Sequence, residues 1–153
     1  MKINIIAIGK FRNNCPNETL FLDYVKKTKW KINLIEIPHK ISGSIQEIKE
    51  KEADLIIKNI LSNSFVILLD EKGVNLTSKE FAKKIQDLQN QACENINFII
   101  GGANGVSEKI KKTANLQISF GKMTFPHMMI RSMIAEQIYR AFLILNNHPY
   151  HKE

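Results

Sequence analysis

The sequence has 153 residues, of which 44% are hydrophobic and 24% charged, a balance typical of one globular domain that excludes a disordered or collagen-like chain. Its 2 cysteines support neither a zinc ribbon nor a disulfide framework, so we expect one domain over residues 1–153, without a metal centre, in the reducing cytoplasm. The net charge of +7 excludes an acidic protein and fits a polyanionic partner, but a compositional bias towards Lys, Asn and Ile explains it equally well.

Five short apolar runs, each ending near Gly, Pro or Asp, predict β-strands. In chain order they cover residues 3–9, 32–38, 65–70, 96–102 and 116–121. Segments with helical periodicity separate them, and this alternation predicts an α/β fold with a mostly parallel sheet of five to six strands flanked by helices. The third and fourth runs, FVILL and INFII, are apolar throughout, so we expect these strands to lie centrally in the sheet.

Candidate capping residues mark the starts of four helices, namely Asn17, Ser44, Thr77 and Ser107. Two of these have the spacing of a capping box, because Glu47 follows Ser44 and Glu80 follows Thr77 by three residues. The densest charge run, residues 26–31, closes the first predicted helix. Cations there complement the helix dipole, and we favour this interpretation over a patch that contacts RNA.

Three loops at strand ends are candidate binding elements, because ligands of open parallel sheets bind at the carboxyl ends of the strands. They are LDEKG at 69–73, GGANG at 101–105 and GKMTFPH at 121–127. The glycines of GGANG allow a tight turn and a close approach of the main chain to a ligand. This loop lacks the spacing of a dinucleotide or phosphate loop, and alone it is more often a simple connection. The three loops lie side by side if their strands are neighbours.

The last predicted helix spans residues 126–146, with Pro126 in its first turn. Its apolar stripe, expected in the core or at a subunit contact, comprises Ile130, Ile134, Ile138 and Phe142. Charged side chains at Arg131, Glu136 and Arg140 interrupt the helix and exclude a membrane span. Taken alone, Glu136 and Arg140 are an ordinary surface pair. The following NNHPYHKE favours a recognition element over a frayed end.

Several motifs together resemble a known family. They are LLD ending at Asp70, INFIIGGANGVS, TFPH at 124–127, RxxxAEQIYRA at 131–141 and the C-terminal NHPYHKE. With them the whole sequence resembles the small single-domain SPOUT (trefoil-knotted) methyltransferases, and among these the enzymes that methylate N3 of a pseudouridine in bacterial 23S ribosomal RNA. The resemblance implies a C-terminal trefoil knot, which the general rarity of knots would not predict.

The resemblance also implies a ligand and partners. It implies S-adenosylmethionine as methyl donor, held by the three knot loops, and a homodimer whose active site combines both subunits. It further implies that the substrate is recognised on the assembled ribosome. The residues that it assigns to the donor are Leu69, Gly101, Gly121, Lys122, Met123, Thr124, Phe125 and Pro126.

The methyl acceptor needs a second set of residues, because transfer to N3 requires loss of a proton and stabilisation of the resulting imide anion. The residues expected to take part in catalysis are Arg140, His151, Glu136 and His127. Those expected to bind RNA are Arg131, His148, Tyr150 and Lys152. Tyr150 is expected to stack on a base. Lys152 stands where related tails carry Arg, so a bidentate contact cannot come from this position.

Three other functions remain possible at this point. A knotted methyltransferase could act on transfer RNA or on another ribosomal nucleotide. A ribosome-associated binding module could keep the fold without catalysis. A nucleotide-hydrolysing enzyme is least favoured, because the sequence has no phosphate loop and no paired metal-binding carboxylates.

Overall fold

The computed structural model describes residues 1–39 and 42–152, and in this part of the chain five strands alternate with five helices. The strands are β1 (Lys2–Ile8), β2 (Lys31–Ile37), β3 (Ser64–Asn75), β4 (Asn95–Ile100) and β5 (Leu116–Ser119). The helices are α1 (Pro16–Lys27), α2 (Ile45–Asn59), α3 (Ser78–Asn90), α4 (Glu108–Thr113) and α5 (His127–Leu145). The predicted α/β alternation is confirmed.

The strands form one parallel sheet in the order β2-β1-β4-β3-β5. The apolar β4 occupies the centre, and β3 lies inside the sheet between β4 and the edge strand β5. The third, fourth and fifth strands are therefore neighbours, which is the condition under which we expected their loops to lie side by side. Their carboxyl ends, and the loops that leave them, lie along the same edge of the sheet.

Strand β3 is longer than predicted, because it resumes pairing with β5 after an irregularity between Leu69 and Val74. Gly73 lies in this irregular segment, and a Cβ atom there would lie 2.6 Å from the main chain of Ile118. Only glycine permits such a close approach of two strands without displacing one of them. The predicted end at Asp70 was wrong because residues 71–75 read as a polar loop.

Helices cover both faces of the sheet, and each face has its own apolar core. Helices α1, α3 and α5 bury Phe21, Phe81 and Ile134 on one face. Helices α2 and α4 bury Ile56 and Ile110 on the other. Side chains of β1 alternate between the two cores, which explains why the interior strands are apolar throughout.

The helix starts agree with the sequence in three of four cases, at Ser44, Thr77 and Ser107. Both capping boxes are present, and the side chains of Ser44 and Thr77 accept hydrogen bonds from the main chain three residues on. The cap predicted at Asn17 was wrong, because α1 starts at Pro16 and Cys15 holds the cap position. Ser107 precedes α4 without a side-chain capping bond. Pro126 precedes the first turn of α5 as its N-cap residue.

Among the described helices, none is long and apolar enough to cross a lipid bilayer. The 19-residue α5 carries Arg131, Glu136 and Arg140 along its length. Within α5, Ile134 and Ile138 are fully buried in the core, whereas Phe142 packs against Trp30.

The C-terminal knot stays a prediction, because strand order and register alone do not define a crossing of the chain.

Candidate active site

A pocket of about 440 Å³ lies at the carboxyl ends of β3, β4 and β5. Its walls are the irregular segment of β3 at residues 69–72, which we keep calling the first loop, and the loops that follow β4 and β5; the strand order places all three side by side. The volume falls within the range of small-ligand sites, roughly 300–1,000 Å³. The sequence predicted a binding site at this place from the strand-end rule.

Most residues that the resemblance assigned to the methyl donor line this pocket. They are Leu69, Gly101, Gly121, Met123, Thr124 and Phe125. Lys122 and Pro126 belong to the same third loop but lie outside the lining. Lys49 of α2 and Lys111 of α4 also line the pocket, and sequence reasoning missed both because nothing local distinguishes them from other helical lysines.

Glycine keeps the main chain accessible on the second loop. A Cβ atom at Gly101 would lie 2.6 Å from Cγ1 of the buried Val106, so this position has no room for a side chain. Gly105 has a φ of +76° and donates its N–H to the carbonyl of Gly102 at 3.0 Å, which closes the turn. The glycines therefore create the shape of the loop as well as its open surface.

The first and third loops are tied together across the pocket. Thr124 Oγ1 donates a hydrogen bond to Glu71 Oε2 at 3.3 Å. Gly121, with a φ of +137°, donates its N–H to Ser119 Oγ at 3.0 Å and so turns the chain sharply after β5. These bonds preorganise two of the three walls before any ligand binds.

His127 lines the pocket at the first residue of α5. Burial and the nearby charge of Arg131 hold the pKa of His127 below its ordinary value. The imidazole is therefore neutral at neutral pH, and it can accept a proton rather than act as a fixed cation.

Arg131, one turn further along α5, is fully buried. Its Nη2 donates to the carbonyls of Ile8 and Gly9 at 2.8 and 2.9 Å, and its Nη1 donates to Glu36 Oε1 at 2.9 Å. The guanidinium also lies 4.8 Å from the ring centroid of Phe11. This burial corrects the prediction that Arg131 contacts RNA, because the side chain instead fixes α5 to the ends of β1 and β2.

A second group of polar side chains forms where the C-terminal tail folds back on α5. Glu136 Oε1 accepts hydrogen bonds from Arg140 Nε at 2.9 Å, from Arg140 Nη2 at 2.6 Å and from Tyr150 Oη at 3.3 Å. Arg140 also lies 4.9 Å from the ring centroid of Tyr150 and 3.3 Å, Nη1 to Nδ1, from His151. We call Glu136, Arg140, Tyr150 and His151 the tail cluster.

The bonds within the tail cluster define its protonation. The hydrogen bond with Glu136 raises the pKa of Arg140 above its ordinary value, so the guanidinium stays charged. Burial, with the charge of Glu136, raises the pKa of Tyr150 to about 12, so the phenol keeps its proton and donates it. A guanidinium can only donate, so Nδ1 of His151 is the acceptor and its ring hydrogen lies on Nε2.

The remaining predicted RNA contacts, His148 and Lys152, are exposed on the tail. The main-chain N–H of His148 donates to the carbonyl of Leu143 at 2.9 Å, which holds the start of the tail against α5 and leaves the imidazole outside. In the part of the chain that the structure describes, no group of three or more His, Cys, Asp or Glu residues is arranged to hold a metal ion.

The pocket and the tail cluster lie apart within one chain. His127 borders the pocket and Arg140 belongs to the tail cluster, and at 1.5 Å per residue they are separated by about 20 Å along α5. The structure therefore divides the predicted site residues into two groups. His127 joins the donor residues, whereas Glu136, Arg140, Tyr150 and His151 form the second group.

Comparisons with known proteins show the family to which the chain belongs. A family model described as predicted SPOUT methyltransferase matches residues 1–151. Proteins named ribosomal RNA large subunit methyltransferase H are 46% identical in Halothermothrix orenii, covering 99% of this chain and 100% of that protein, and 38% identical in Rhodospirillum centenum, covering 99% of both. The structure of a probable methylase family protein from Haemophilus influenzae covers 99% of this chain and 70% of that one, with a TM-score of 0.57 and 16% identity, which supports the fold alone.

Proposed function

Because the chain belongs to the SPOUT methyltransferase family, we propose that it transfers a methyl group from S-adenosylmethionine to N3 of a pseudouridine in 23S ribosomal RNA. The observation that carries this proposal is the full-length similarity, at 38–46% identity, to proteins named for methylation of the large ribosomal subunit RNA. The pocket and the tail cluster supply the two halves of such a site. The enzyme works in the cytoplasm, on the assembled ribosome, which presents the target nucleotide in a defined frame.

The strand-end pocket fits the methyl donor. Gly101 and Gly121 leave main-chain groups accessible, while Leu69, Ile118 and Phe125 offer apolar surface for an adenine ring. When bound, the donor supplies an electrophilic methyl group on its sulfonium. The protein contributes position and exclusion of water, which together account for much of the acceleration in such transfers.

The tail cluster fits the methyl acceptor. Loss of the N3 proton leaves an anion that is shared with the two flanking carbonyl oxygens, and cationic donors at those oxygens stabilise it. Arg140 supplies such donors, and Glu136 acts as a positioning residue that orients the guanidinium. His151 adds an Nε2–H donor, and neutral His127 is the proton acceptor. Tyr150 and the exposed His148 and Lys152 bind the RNA around the target base.

The two halves meet in a homodimer. An antiparallel pairing of α5 helices about a twofold axis near Met133 brings the pocket of one subunit beside the tail cluster of its partner, because Met133 lies midway between His127 and Arg140. Large apolar side chains are exposed at Leu20 on α1 and at Met129 on α5. Such a contact would bury this surface, which is otherwise unfavourable in water.

A methylation assay with defined RNAs tests the proposed function. The purified protein is incubated with labelled S-adenosylmethionine and, separately, with 70S ribosomes, large subunits, protein-free 23S RNA and transfer RNA. We expect label in ribosomal RNA, and mass spectrometry should find the methyl group on N3 of one pseudouridine. Label in transfer RNA would indicate a different knotted methyltransferase. Donor binding without transfer to any RNA would indicate a binding module.

Replacing Gly101 by valine should remove donor binding. The added side chain would meet Val106, whose Cγ1 lies 2.6 Å from the position of the new Cβ, and its branches would enter the pocket. Overpacking of this kind displaces the main chain that forms the pocket wall, so we expect the dissociation constant for S-adenosylmethionine to rise at least about tenfold, a loss of about 1.4 kcal/mol of binding free energy. Isothermal titration calorimetry measures this change. The control is Ser62→Val, which places the same branched side chain at an exposed position outside the pocket. Unchanged binding in G101V would contradict the assignment.

A further inference from the structure

A row of aromatic rings connects the tail cluster to the first helix. The ring centroids of Tyr150 and Tyr139 are 5.2 Å apart, and those of Tyr139 and Tyr24 are 5.8 Å apart. At the end of the row, Lys27 Nζ lies 5.8 Å from the ring centroid of Tyr24. The surface of the tail is therefore continuous with the last turn of α1.

Four lysines follow within six residues at this end of the row, and we call Lys26, Lys27, Lys29 and Lys31 the α1 basic patch. All four are exposed. Lys27 pairs with Asp23 at 2.6 Å, whereas Lys26, Lys29 and Lys31 form no ion pair with any residue that the structure describes. The α1 basic patch therefore holds a strong local excess of positive charge.

The segment that carries this charge is held in place. Trp30 lies between Lys29 and Lys31, and its ring packs edge-on against Phe142 of α5 at a centroid distance of 5.4 Å. The main-chain N–H of Thr28 donates to the carbonyl of Tyr24, which closes the helix. The patch is thus positioned relative to the same helix that carries Arg140.

A favourable interaction with the dipole of α1 explains only part of the positive charge in the α1 basic patch. The dipole acts within the last turn of a helix, and this turn contains Lys26 and Lys27. Lys29 and Lys31 lie beyond the end of α1, the second of them already in β2. The helix dipole therefore does not account for the charge of Lys29 and Lys31.

We infer that the α1 basic patch binds phosphate groups of the ribosomal RNA strand whose target base enters beside the tail cluster. Lysine ammonium groups are point charges that suit phosphates, and such contacts position an RNA without reading its sequence. The row of tyrosines joins the patch to the residues that hold the acceptor, so one RNA strand can contact both. This inference rests on the proposed function and adds a surface to it.

Charge reversal at Lys26 and Lys29 tests the inference. In K26E/K29E we expect the KM for ribosomes to rise at least about tenfold and the slope of log affinity against log salt to decrease by about 1–2. The affinity for S-adenosylmethionine and the rate at saturating ribosome concentration should match the wild type. The matched control is K51E/K112E, which changes the net charge equally on α2 and α4, on the opposite face of the sheet.

Equal KM values and equal salt slopes in the two double variants would overturn the inference. A higher KM in K26E/K29E with an unchanged salt slope would also overturn it, because the lost contact would then not be with phosphate. If the wild type methylates no RNA at all, the proposed function fails instead. The salt titration of binding to a 23S RNA fragment then still decides whether the patch contacts phosphate.

Discussion

Replacing Arg140 by methionine is expected to lower the rate of methyl transfer about 10²–10³-fold, the usual effect of removing one preorganised donor from a developing oxyanion. Methionine keeps the aliphatic bulk but loses the guanidinium, which bonds Glu136 twice and contacts Tyr150 and His151. The affinity for S-adenosylmethionine should be unchanged, because Arg140 lies outside the strand-end pocket. Single-turnover transfer to ribosomes measures the rate, and calorimetry measures donor binding.

Arg12→Met is the matched control, since Arg12 is exposed in the segment between β1 and α1. It should transfer methyl groups at the wild-type rate. Loss of donor binding together with activity in R140M would contradict the division of the site into two groups. An unchanged transfer rate would show that the tail cluster has no role in the chemistry.

Mixing R140M with G101V tests whether each active site is built from two subunits. At a donor concentration well below the dissociation constant of G101V, each variant alone should have low activity, since R140M has an impaired acceptor half and G101V an impaired donor half. In an equal mixture, half of the dimers contain one subunit of each kind, and one of their two sites joins an intact pocket to an intact tail cluster, so about a quarter of wild-type activity should return. A site built within one chain would regain no activity.

Local sequence patterns predicted the fold well where local chemistry determines it. The apolar runs and the two capping boxes correctly predicted all five strands and the starts of α2 and α3. The end of β3 was wrong because the pairing of Val74 and Asn75 with β5 depends on the absence of a side chain at Gly73. A contact between segments that are distant in the sequence cannot be recognised from the polar residues around Gly73.

Prediction of the candidate site from the sequence was limited in the same way. The strand-end rule and the family motifs both pointed to the loops that line the pocket, but neither indicated Lys49 or Lys111, which folding brings there from two helices. Arg131 was misassigned for a similar reason. An arginine in an amphipathic helix usually faces water, and its burial became predictable only once Glu36 and the carbonyl of Ile8 were seen to face it.

Replacing Arg131 by methionine is expected to lower the free energy of unfolding by about 3 kcal/mol or more. The substitution leaves the carbonyls of Ile8 and Gly9 without their donor and leaves Glu36 without its cation. Equilibrium unfolding in urea measures the change. A second substitution, Glu36→Gln, should cost less in the R131M background than in the wild type, because the charge that it removes no longer has a partner.

Ser132→Ala is the matched control for a buried polar group on the same turn of α5. Ser132 Oγ donates to the carbonyl of Asn17 at 2.8 Å, and loss of this single neutral hydrogen bond should cost only about 1 kcal/mol. Equal destabilisation by R131M and S132A would mean that the guanidinium contributes no more than an ordinary hydrogen bond. A larger loss in R131M would identify Arg131 as the residue that holds the start of α5, and with it His127, against the ends of β1 and β2.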